Sequence, residues 1–420
     1  MKICGIITEY NPFHNGHKYQ IEELKKKTNC DAVVVIMSGN FLQRGIPASF
    51  DKFTRAKMAI QNGVDVIIEL PTIYATSSSE YFALGGVGIL NSLNCIDNIC
   101  FGAMTEDINL LSSLAKIYFE EPEDYKKELQ KFLNKGLSFP KARCEATCEF
   151  LKHNKTTSVL KDYSKEQIEE LLLDPNNILG IEYLKALLYF KSNIEPICIK
   201  RLGESYNSLA MNEDSGICSS TAIREQLSKD NISNIKAFVP DNVYKEISNS
   251  YIAGKSQIEL ENFEKEILYE LRKKSIAELS KIADITEGLE NLISKTISSS
   301  FTLDSLIENL KTKRYTRTRI QRILIHTLLN ITQEQLQMYK YKPQYARVLA
   351  VSKNGKKALA EISKSSKIPI ITNVSKFMKS STEEQKEMLD KDILATNIYT
   401  LGYKIPEYRK NNLDYTTSIN

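Results

Sequence analysis

The sequence lacks long apolar runs, paired cysteines and a large net charge. Its purely apolar stretches are short, Ala32–Met37 being typical, far below the roughly 18 residues that a membrane span needs. Its eight cysteines are scattered and form no CxxC pair, which favours reduced thiols and no metal site. A formal net charge of +4 excludes a histone-like polycation. We therefore expect a cytoplasmic protein with no membrane partner.

The small net charge conceals an uneven distribution along the chain. Residues 1–230 carry 26 basic and 30 acidic side chains, whereas residues 231–420 carry 30 and 22. The excess is strongest in residues 311–380, with 16 basic side chains against 2 acidic ones. A near-neutral total can therefore contain one part that binds anions.

The apolar pattern predicts two domains within the 420 residues. Residues 1–230 alternate buried strands with helices of 10–15 residues, as expected of a Rossmann-like parallel sheet covered on both faces. Residues 231–420 have mainly helical spacing. We predict an α/β fold, with a mainly helical basic domain after residue 230. The predicted strands are Ile3–Thr8, Val33–Met37, Asp65–Leu70, Ile96–Phe101 and Ile197–Arg201.

Two of only four histidines, His14 and His17, lie where the first strand gives way to the first helix. Unpaired backbone N–H groups and the helix dipole attract anions at such a position. Gly16 between them would let a nucleotide approach the backbone without a Cβ in the way. Two imidazoles there can stabilise charge at an α-phosphate. This pattern favours a nucleotide site over two unrelated surface histidines.

A second motif, Cys218–Arg224, lies near the end of the predicted first domain. Its hydroxyl residues Ser219, Ser220 and Thr221 would start a helix, and Arg224 follows one turn later. The group could bind phosphate, or its hydroxyls could simply cap the helix. Together, the two motifs at opposite ends of one α/β domain indicate a phosphate-binding cleft.

The HxGH element and the ISSTxIR-like motif resemble those of the nucleotidylyltransferase superfamily, whose members act at the α-phosphate of a nucleoside triphosphate. Longer blocks are similar to the bacterial tRNA(Met) cytidine acetate ligase family, and they are Gly5–His17, Met37–Gly45, Ile68–Pro71, Phe101–Gly102, Asn176–Gly180, Ile199–Arg201 and Lys311–Tyr315. This resemblance implies a ligase that activates acetate with ATP as acetyl-adenylate. The acetyl group would then pass to N4 of the wobble cytidine of elongator tRNA(Met).

The resemblance also implies which residues bind ATP, with His14 and His17 in the catalytic role. It does not decide between Asn176 and Asn177. Mg²⁺ is expected with the ATP phosphates, although no protein ligand for it is identifiable. The implied ATP site is Ile7, Thr8, Glu9, Tyr10, Asn11, Pro12, Phe13, His14, Asn15, Gly16, His17, Lys18, Tyr19, Gln20, Gly102, Asn176 or Asn177, and Arg201, together with Ser219, Ser220, Thr221 and Arg224 from the second motif.

A basic run in the second half is the candidate tRNA-binding segment. A solvated helix face usually mixes both signs of charge, so an unbroken basic run suggests a phosphate-backbone partner. Two other functions stay open at this point: a nucleotidylyltransferase for a small phosphorylated metabolite, and a non-enzymatic RNA-binding protein with a relict nucleotide fold. The run consists of Lys311, Lys313, Arg314, Arg317, Arg319 and Arg322.

Overall fold

The computed structural model describes residues 1–153, 163–202, 209, 211 and 216–417. Its strands are β1 (Ile3–Thr8), β2 (Ala32–Ser38), β3 (Phe41–Leu42), β4 (Ile46–Pro47), β5 (Val66–Leu70), β6 (Asn98–Ala103), β7 (Glu195–Lys200), β8 (Ala346–Val351) and β9 (Ile370–Ile371). The helices of residues 1–230 are α1 (Asn15–Thr28), α2 (Lys52–Ile60), α3 (Thr72–Ala75), α4 (Ser79–Leu93), α5 (Ile108–Glu120), α6 (Glu123–Asn134), α7 (Phe139–His153), α8 (Lys165–Leu173), α9 (Pro175–Tyr189) and α10 (Ser220–Ser228).

The second half is mainly helical, as predicted. Its helices are α11 (Asp241–Ile252), α12 (Glu264–Lys273), α13 (Ile276–Leu279), α14 (Leu289–Ile297), α15 (Leu303–Leu310), α16 (Arg317–Leu329), α17 (Gln333–Tyr339), α18 (Gly355–Ser365), α19 (Val374–Met378), α20 (Glu383–Tyr399) and α21 (Leu413–Thr416). Short 3₁₀ segments cover Ile232–Phe238, Leu260–Phe263, Thr400–Gly402 and Pro406–Tyr408. None of the helices in the described ranges is long and apolar enough to cross a membrane.

Seven strands form one sheet in the order β7-β6-β1-β2-β5-β8-β9. All neighbouring pairs are parallel except β5 and β8. The predicted α/β class is therefore confirmed. The chain runs from β1 to β2 and β5 on one side, then returns to β6 and β7 on the other. The carboxyl ends of β1 and β6 thus mark the reversal of strand order, where such sheets bind ligands.

Alternating side chains of the strands enter two separate cores. In β1, Ile3 and Ile7 belong to one core, whereas Cys4 and Ile6 belong to the other. The first core extends through α4, α5 and α9 into the helices of the second half. The second core includes α1, α2, α10 and α11. Apolar burial on both faces explains why these strands read as nearly continuous hydrophobic runs.

Two features differ from the sequence prediction. Residues 38–49 contain none of the predicted strands, but Phe41–Leu42 and Ile46–Pro47 pair as a short antiparallel hairpin. Strands β8 and β9 come from the part assigned to the second domain, yet they extend the sheet of the first. Strand pairing between distant segments leaves no local trace in the sequence. The division at residue 230 stays a prediction.

Candidate active site

A cleft opens at the carboxyl ends of β1, β6 and β7, at the reversal of strand order. Residues from these strands lie beside the start of α1, the start of α9 and the start of α10. The cleft is lined by Ile7, Thr8, Glu9, Tyr10, Asn11, His14, Gly16, His17, Tyr19, Gln20, Gln43, Arg44, Phe82, Phe101, Gly102, Pro175, Asn176, Leu179, Tyr183, Ile199, Lys200, Arg201, Leu202, Ile217, Cys218, Ser220 and Arg224. The two sequence motifs therefore meet in one cleft.

His14 and His17 form a reciprocal cap at the start of α1. The backbone N–H of Gly16 donates to Nδ1 of His14 at 3.1 Å, and the N–H of His14 donates to Nδ1 of His17 at 3.3 Å. The two rings stack with their centroids 3.7 Å apart. Histidine thus performs the role that Ser and Glu perform in an ordinary capping box. The arrangement fixes both rings at the positive end of the helix.

Each imidazole is held in the neutral form with its proton on Nε2. An Nδ1 atom that accepts a hydrogen bond cannot carry a proton, so Nε2 is the donor in each ring. Burial, followed by the charges of Arg201 and Arg224, lowers the pKa of His14 to about 3. Burial, followed by His14 and Arg201, also lowers the pKa of His17 well below its usual value. The cleft therefore offers two N–H donors to an anion without two buried positive charges.

The position of the His14 ring requires a glycine at residue 16, and so does the open cleft that Gly16 lines. A Cβ at Gly16 would lie 2.9 Å from Cε1 of His14 and 3.1 Å from its Nδ1. Such a contact is too short for the imidazole to keep its position over the helix end. The glycine therefore permits the capping geometry, in addition to the open approach expected from the sequence.

The second motif combines helix capping with a charged contact to the loop after β1. Ser219 is the cap of α10, and its Oγ accepts the N–H of Ala222 at 3.0 Å. Arg224 donates to the carbonyl of Asn11 at 2.8 Å and to Oγ1 of Thr221 at 3.2 Å. Ser220 lines the cleft. The capping role considered for the hydroxyls is thus present at Ser219, while Ser220 and Arg224 face the cleft.

The structure distinguishes Asn176 from Asn177. Asn177 is 1% exposed, and its side chain accepts the N–H of Met104 and donates to the carbonyl of Leu171. Asn176 lines the cleft, and its Oδ1 accepts a hydrogen bond from Arg201 at 3.0 Å. The Nδ2 atom of Asn176 is buried without a partner among the described residues. Asn176 is therefore the asparagine that can serve a ligand.

Most of the predicted ATP-binding residues line the cleft, and some do not. Those in the lining are Ile7, Thr8, Glu9, Tyr10, Asn11, His14, Gly16, His17, Tyr19, Gln20, Gly102, Asn176, Arg201, Ser220 and Arg224. The side chain of Asn15 instead donates to the carbonyls of Gly216 and Ala237, and Lys18 lies 4.0 Å from Glu22 on the exposed side of α1. Outside the lining are Pro12, Phe13, Asn15, Lys18, Asn177, Ser219 and Thr221.

A buried arginine that no sequence pattern indicated organises the cleft. Arg55 on α2 is 0% exposed and donates to the carbonyls of Phe50, Glu9, Ser38 and Gly39. It thereby fixes the backbone at the carboxyl ends of β1 and β2. A single arginine in a mixed helix gives no local signal of burial. Gln43 and Arg44, which also line the cleft, were quoted only as part of the family resemblance.

The basic run lies against acidic side chains that precede it in the chain. Arg314 pairs with Glu287, and Arg317 pairs with Asp304 and Glu308. Lys311 also reaches Glu308, at 3.3 Å. Glu308 lies only three residues before Lys311, whereas Glu287 lies 27 residues before Arg314. The run looked unopposed because all three acids precede its first residue.

Arg319 and Arg322 are tied to the segment before α14. Arg319 donates to the carbonyl of Asp284 and to Oγ1 of Thr286, and Arg322 pairs with the Asp284 carboxylate at 2.8 Å. Burial opposes the ionisation of Asp284, yet Arg322 and the neighbouring basic groups lower its pKa. Of the six predicted basic residues, Lys313 and Arg319 have no ion pair within the described ranges, and Arg319 is held by its hydrogen bonds instead.

The described residues provide no evident protein site for a metal ion. They contain no group of three or more His, Cys, Asp or Glu side chains placed to hold one. The donors in the cleft are imidazole N–H, guanidinium and amide groups, which bind anions rather than cations. The Mg²⁺ expected with ATP is therefore assigned no protein ligands, and no chemical step is routed through it.

The chain is similar to known proteins along nearly its whole length. A family model described as HIGH Nucleotidyl Transferase matches residues 1–414. The chain is 42% identical over 404 residues to a tRNA(Met) cytidine acetate ligase of Clostridium perfringens, covering 95% of each chain. It is 44% identical over 404 residues to one of Caldanaerobacter subterraneus, covering 96% of each.

Two solved structures of Thermotoga maritima TmcAL share the fold over nearly the whole length. One is bound with alpha-thio ATP and superposes with a TM-score of 0.91 at 32% identity, covering 99% of this chain and 98% of that one. The other is the apo form, with a TM-score of 0.93 at 32% identity and coverage of 100% and 99%. The chain therefore belongs to the HIGH nucleotidyl transferase family and, within it, to the tRNA(Met) cytidine acetate ligases.

Proposed function

We propose that this protein is an ATP-dependent ligase that activates acetate as acetyl-adenylate and transfers the acetyl group to N4 of the wobble cytidine of elongator tRNA(Met). The observation that carries the proposal is the pair of neutral, Nε2-protonated imidazoles at the start of α1. This pair of imidazoles lies in the cleft that the second phosphate motif also lines. The relatives that match nearly the whole chain carry the same activity in their names.

In the first step, a carboxylate oxygen of acetate attacks the α-phosphorus of ATP and pyrophosphate leaves. His14 and His17 donate their Nε2–H groups to the phosphate oxygens as negative charge builds up there. Arg201 and Arg224 supply the positive charge that the neutral imidazoles lack. Asn176 lies in the first turn of α9, and Gly102 lies near the carboxyl end of β6. Both line the side of the cleft where the nucleoside would bind.

In the second step, the N4 amine of the cytidine attacks the acetyl carbonyl and AMP leaves. The amine of cytosine is a weak nucleophile, so holding it against the mixed anhydride should contribute more than base catalysis. Presenting N4 requires an unstacked base, which a single-stranded anticodon loop permits at low energetic cost. The protein therefore needs a surface that holds the tRNA beside the cleft.

The exposed members of the basic run are the proposed tRNA contacts. Lys311, Lys313, Arg314 and Arg317 have exposed side chains or pair only with exposed acids. Such surface pairs contribute about 0–1 kcal/mol, so exchanging a carboxylate for a tRNA phosphate costs little. Arg319 and Arg322 are tied to residues 284–286 instead, and they would support the surface rather than bind RNA.

The direct test is mass spectrometry of tRNA nucleosides after incubation with ATP, Mg²⁺ and isotope-labelled acetate. The expected product is N4-acetylcytidine that carries the label, formed from elongator tRNA(Met) and absent without ATP. Formation of pyrophosphate that depends on an added phosphorylated metabolite and not on acetate, with no tRNA acetylation, would instead indicate adenylyl transfer to that metabolite. Tight tRNA binding without any ATP turnover would indicate a non-enzymatic RNA-binding protein.

A further inference from the structure

One side of the cleft carries Phe82, Phe101 and Tyr183, which are not among the predicted ATP-binding residues. It is formed where α4 and α9, which pack against each other, approach the ends of β1 and β6. Phe82 of α4 and Tyr183 of α9 line the cleft beside Ile7 and Phe101. These four side chains are at most 6% exposed. This recess is apolar, unlike the side of the cleft that carries the histidines and arginines.

Two glycines allow the helices to come close enough to form the recess. A Cβ at Gly86 of α4 would lie 2.7 Å from Cδ1 of Ile7, and one at Gly180 of α9 would lie 2.6 Å from Cε2 of Phe101. Either contact would push the helix away from the strand end. The narrow spacing is therefore built into the sequence of both helices, and it limits the recess to a small group.

The recess contains one polar atom that the protein leaves unused. The hydroxyl of Tyr183 is buried and has no hydrogen-bond partner among the described residues, although the residue is only 2% exposed. Leaving a buried hydroxyl without a partner costs about 1–3 kcal/mol. Burial, followed by the nearby charge of Glu9, raises the pKa of this tyrosine well above its usual value. The hydroxyl therefore stays protonated and can donate a hydrogen bond to a ligand.

We propose that Tyr183 and Phe82 form the acyl subsite of the cleft, in which the Tyr183 hydroxyl donates to the acyl oxygen and Phe82 limits the length of the acyl chain. This inference rests on the proposed function. A purine base presents several donors and acceptors along its edge. The acetyl group of the adenylate presents one free oxygen and a methyl group, which match one donor and a small apolar wall. The recess provides this donor and this wall.

The subsite acts by hydrogen bonding and requires no proton transfer from Tyr183. During activation, one acetate oxygen forms a bond to the α-phosphorus and pyrophosphate leaves with the electron pair of the broken P–O bond. The other oxygen accepts the Tyr183 hydrogen bond. During transfer, N4 attacks the carbonyl carbon, the C–O bond to AMP breaks, and N4 loses a proton to solvent.

The first test is the variant Tyr183→Phe, which removes the hydroxyl and keeps the ring. In acetate-dependent exchange of labelled pyrophosphate into ATP, we expect KM for acetate to rise about 10-fold, equivalent to one lost hydrogen bond. KM for ATP should stay within about 2-fold of its value in the unaltered protein. Tyr189→Phe is the matched control, because it lies on the same helix and is exposed, and its constants should not change. A rise in KM for ATP, or no change in either constant, would overturn the proposal.

The second test is a gain of activity, which damage to the fold cannot produce. In Phe82→Leu the recess becomes larger, so the ratio of kcat/KM for propionate to that for acetate should rise about 10-fold, as expected for one methylene in an apolar pocket. The proposal stands only if this ratio rises and Tyr183→Phe behaves as described. If the unaltered protein shows no acetate-dependent exchange at all, the proposed function fails first and the subsite fails with it.

Discussion

His14 and His17 each use one ring nitrogen to hold the protein and leave the other for a ligand. Their Nδ1 atoms accept backbone N–H groups, so the structural and chemical roles of each ring reside on different atoms. A substitution can therefore separate the two roles. Asparagine has a side-chain oxygen that can accept the backbone N–H, but it has no donor at the position of Nε2.

We expect His17→Asn to lose activity without losing the helix cap. Removing one preorganised donor to a developing oxyanion costs about 10²–10³ in rate, so acetate-dependent pyrophosphate exchange should fall by this factor. His17→Ala should lose as much activity and a further ~1 kcal/mol of stability, because it also removes the cap. Exchange assays and urea unfolding of both variants give the comparison. Equal stability loss in the two variants would show that the Nδ1 contact does not support the fold.

The β3–β4 hairpin connects the cleft to the helix that carries part of the basic run. Gln43 and Arg44 in its turn line the cleft. The next residue, Gly45, has φ of +70°, and a Cβ there would overlap the backbone of Gln321 and Arg322 in α16. Neither helix backbone nor turn can yield to such an overlap locally. The glycine thus allows the turn of the hairpin to lie directly against α16.

We expect Gly45→Ala to destabilise the protein far more than the same substitution does at an ordinary glycine with positive φ. The matched control is Gly288→Ala, since Gly288 has φ of +82° and open space around its would-be Cβ. The control should lose about 1 kcal/mol of unfolding free energy from backbone conformation alone. Gly45→Ala should lose at least ~2 kcal/mol more, because it also forces the two elements apart. Urea unfolding measures both, and equal losses would mean that the hairpin and α16 separate freely.

The elements that sequence analysis predicted well are those specified by nearby residues. The continuous apolar run Ile3–Thr8 forms the expected strand, and His14 to His17 lie at the expected helix start. The acidic partners of Arg314 and Arg317 lie in other helices or loops, and strand β8 pairs with β5 across more than 270 residues. Arg55 gave no sign of burial in the sequence because two of its acceptors, the carbonyls of Glu9 and Ser38, belong to other segments. These features depend on how the chain folds back, which local periodicity does not encode.

At the scale of the whole molecule, a buried charge network joins the two ends of the chain. Lys52 contacts Glu69 at 2.6 Å and Asp414 at 2.7 Å, and Arg347 contacts the same two acids at 3.0 and 2.6 Å. All four residues are at most 4% exposed. Two positive and two negative charges balance, so the network is stable only when α21, which carries Asp414, lies against the sheet.

The network also reaches the cleft through α2. Lys52 and Arg55 lie on that helix, and Arg55 fixes the carbonyl of Glu9 directly after β1. Burial opposes the ionisation of Asp414, yet Lys52 and Arg347 lower its pKa. The stabilisation that the ionised Asp414 carboxylate provides is therefore complete above the usual aspartate pKa of about 3.9. This stabilisation is lost as the pH falls through the lower pKa that the group has in the folded protein.

Removing one carboxylate should upset the charge balance of this buried network. Asp414→Asn leaves two buried cations with one carboxylate, and breaking a buried pair in this way costs about 3–5 kcal/mol. Glu383→Gln is the surface control, because Glu383 is 90% exposed where it pairs with Lys386, and it should change stability by less than about 1 kcal/mol.

Adding Lys52→Met to Asp414→Asn restores the balance, so the double variant should lose less stability than the two single losses combined. Urea unfolding at neutral pH measures this coupling, and the gap between the unaltered protein and Asp414→Asn should narrow below about pH 4, as the carboxylate that distinguishes them becomes protonated. Strictly additive losses would show that Lys52 and Asp414 stabilise the fold independently, and would leave Arg347 as the charged partner that holds α21.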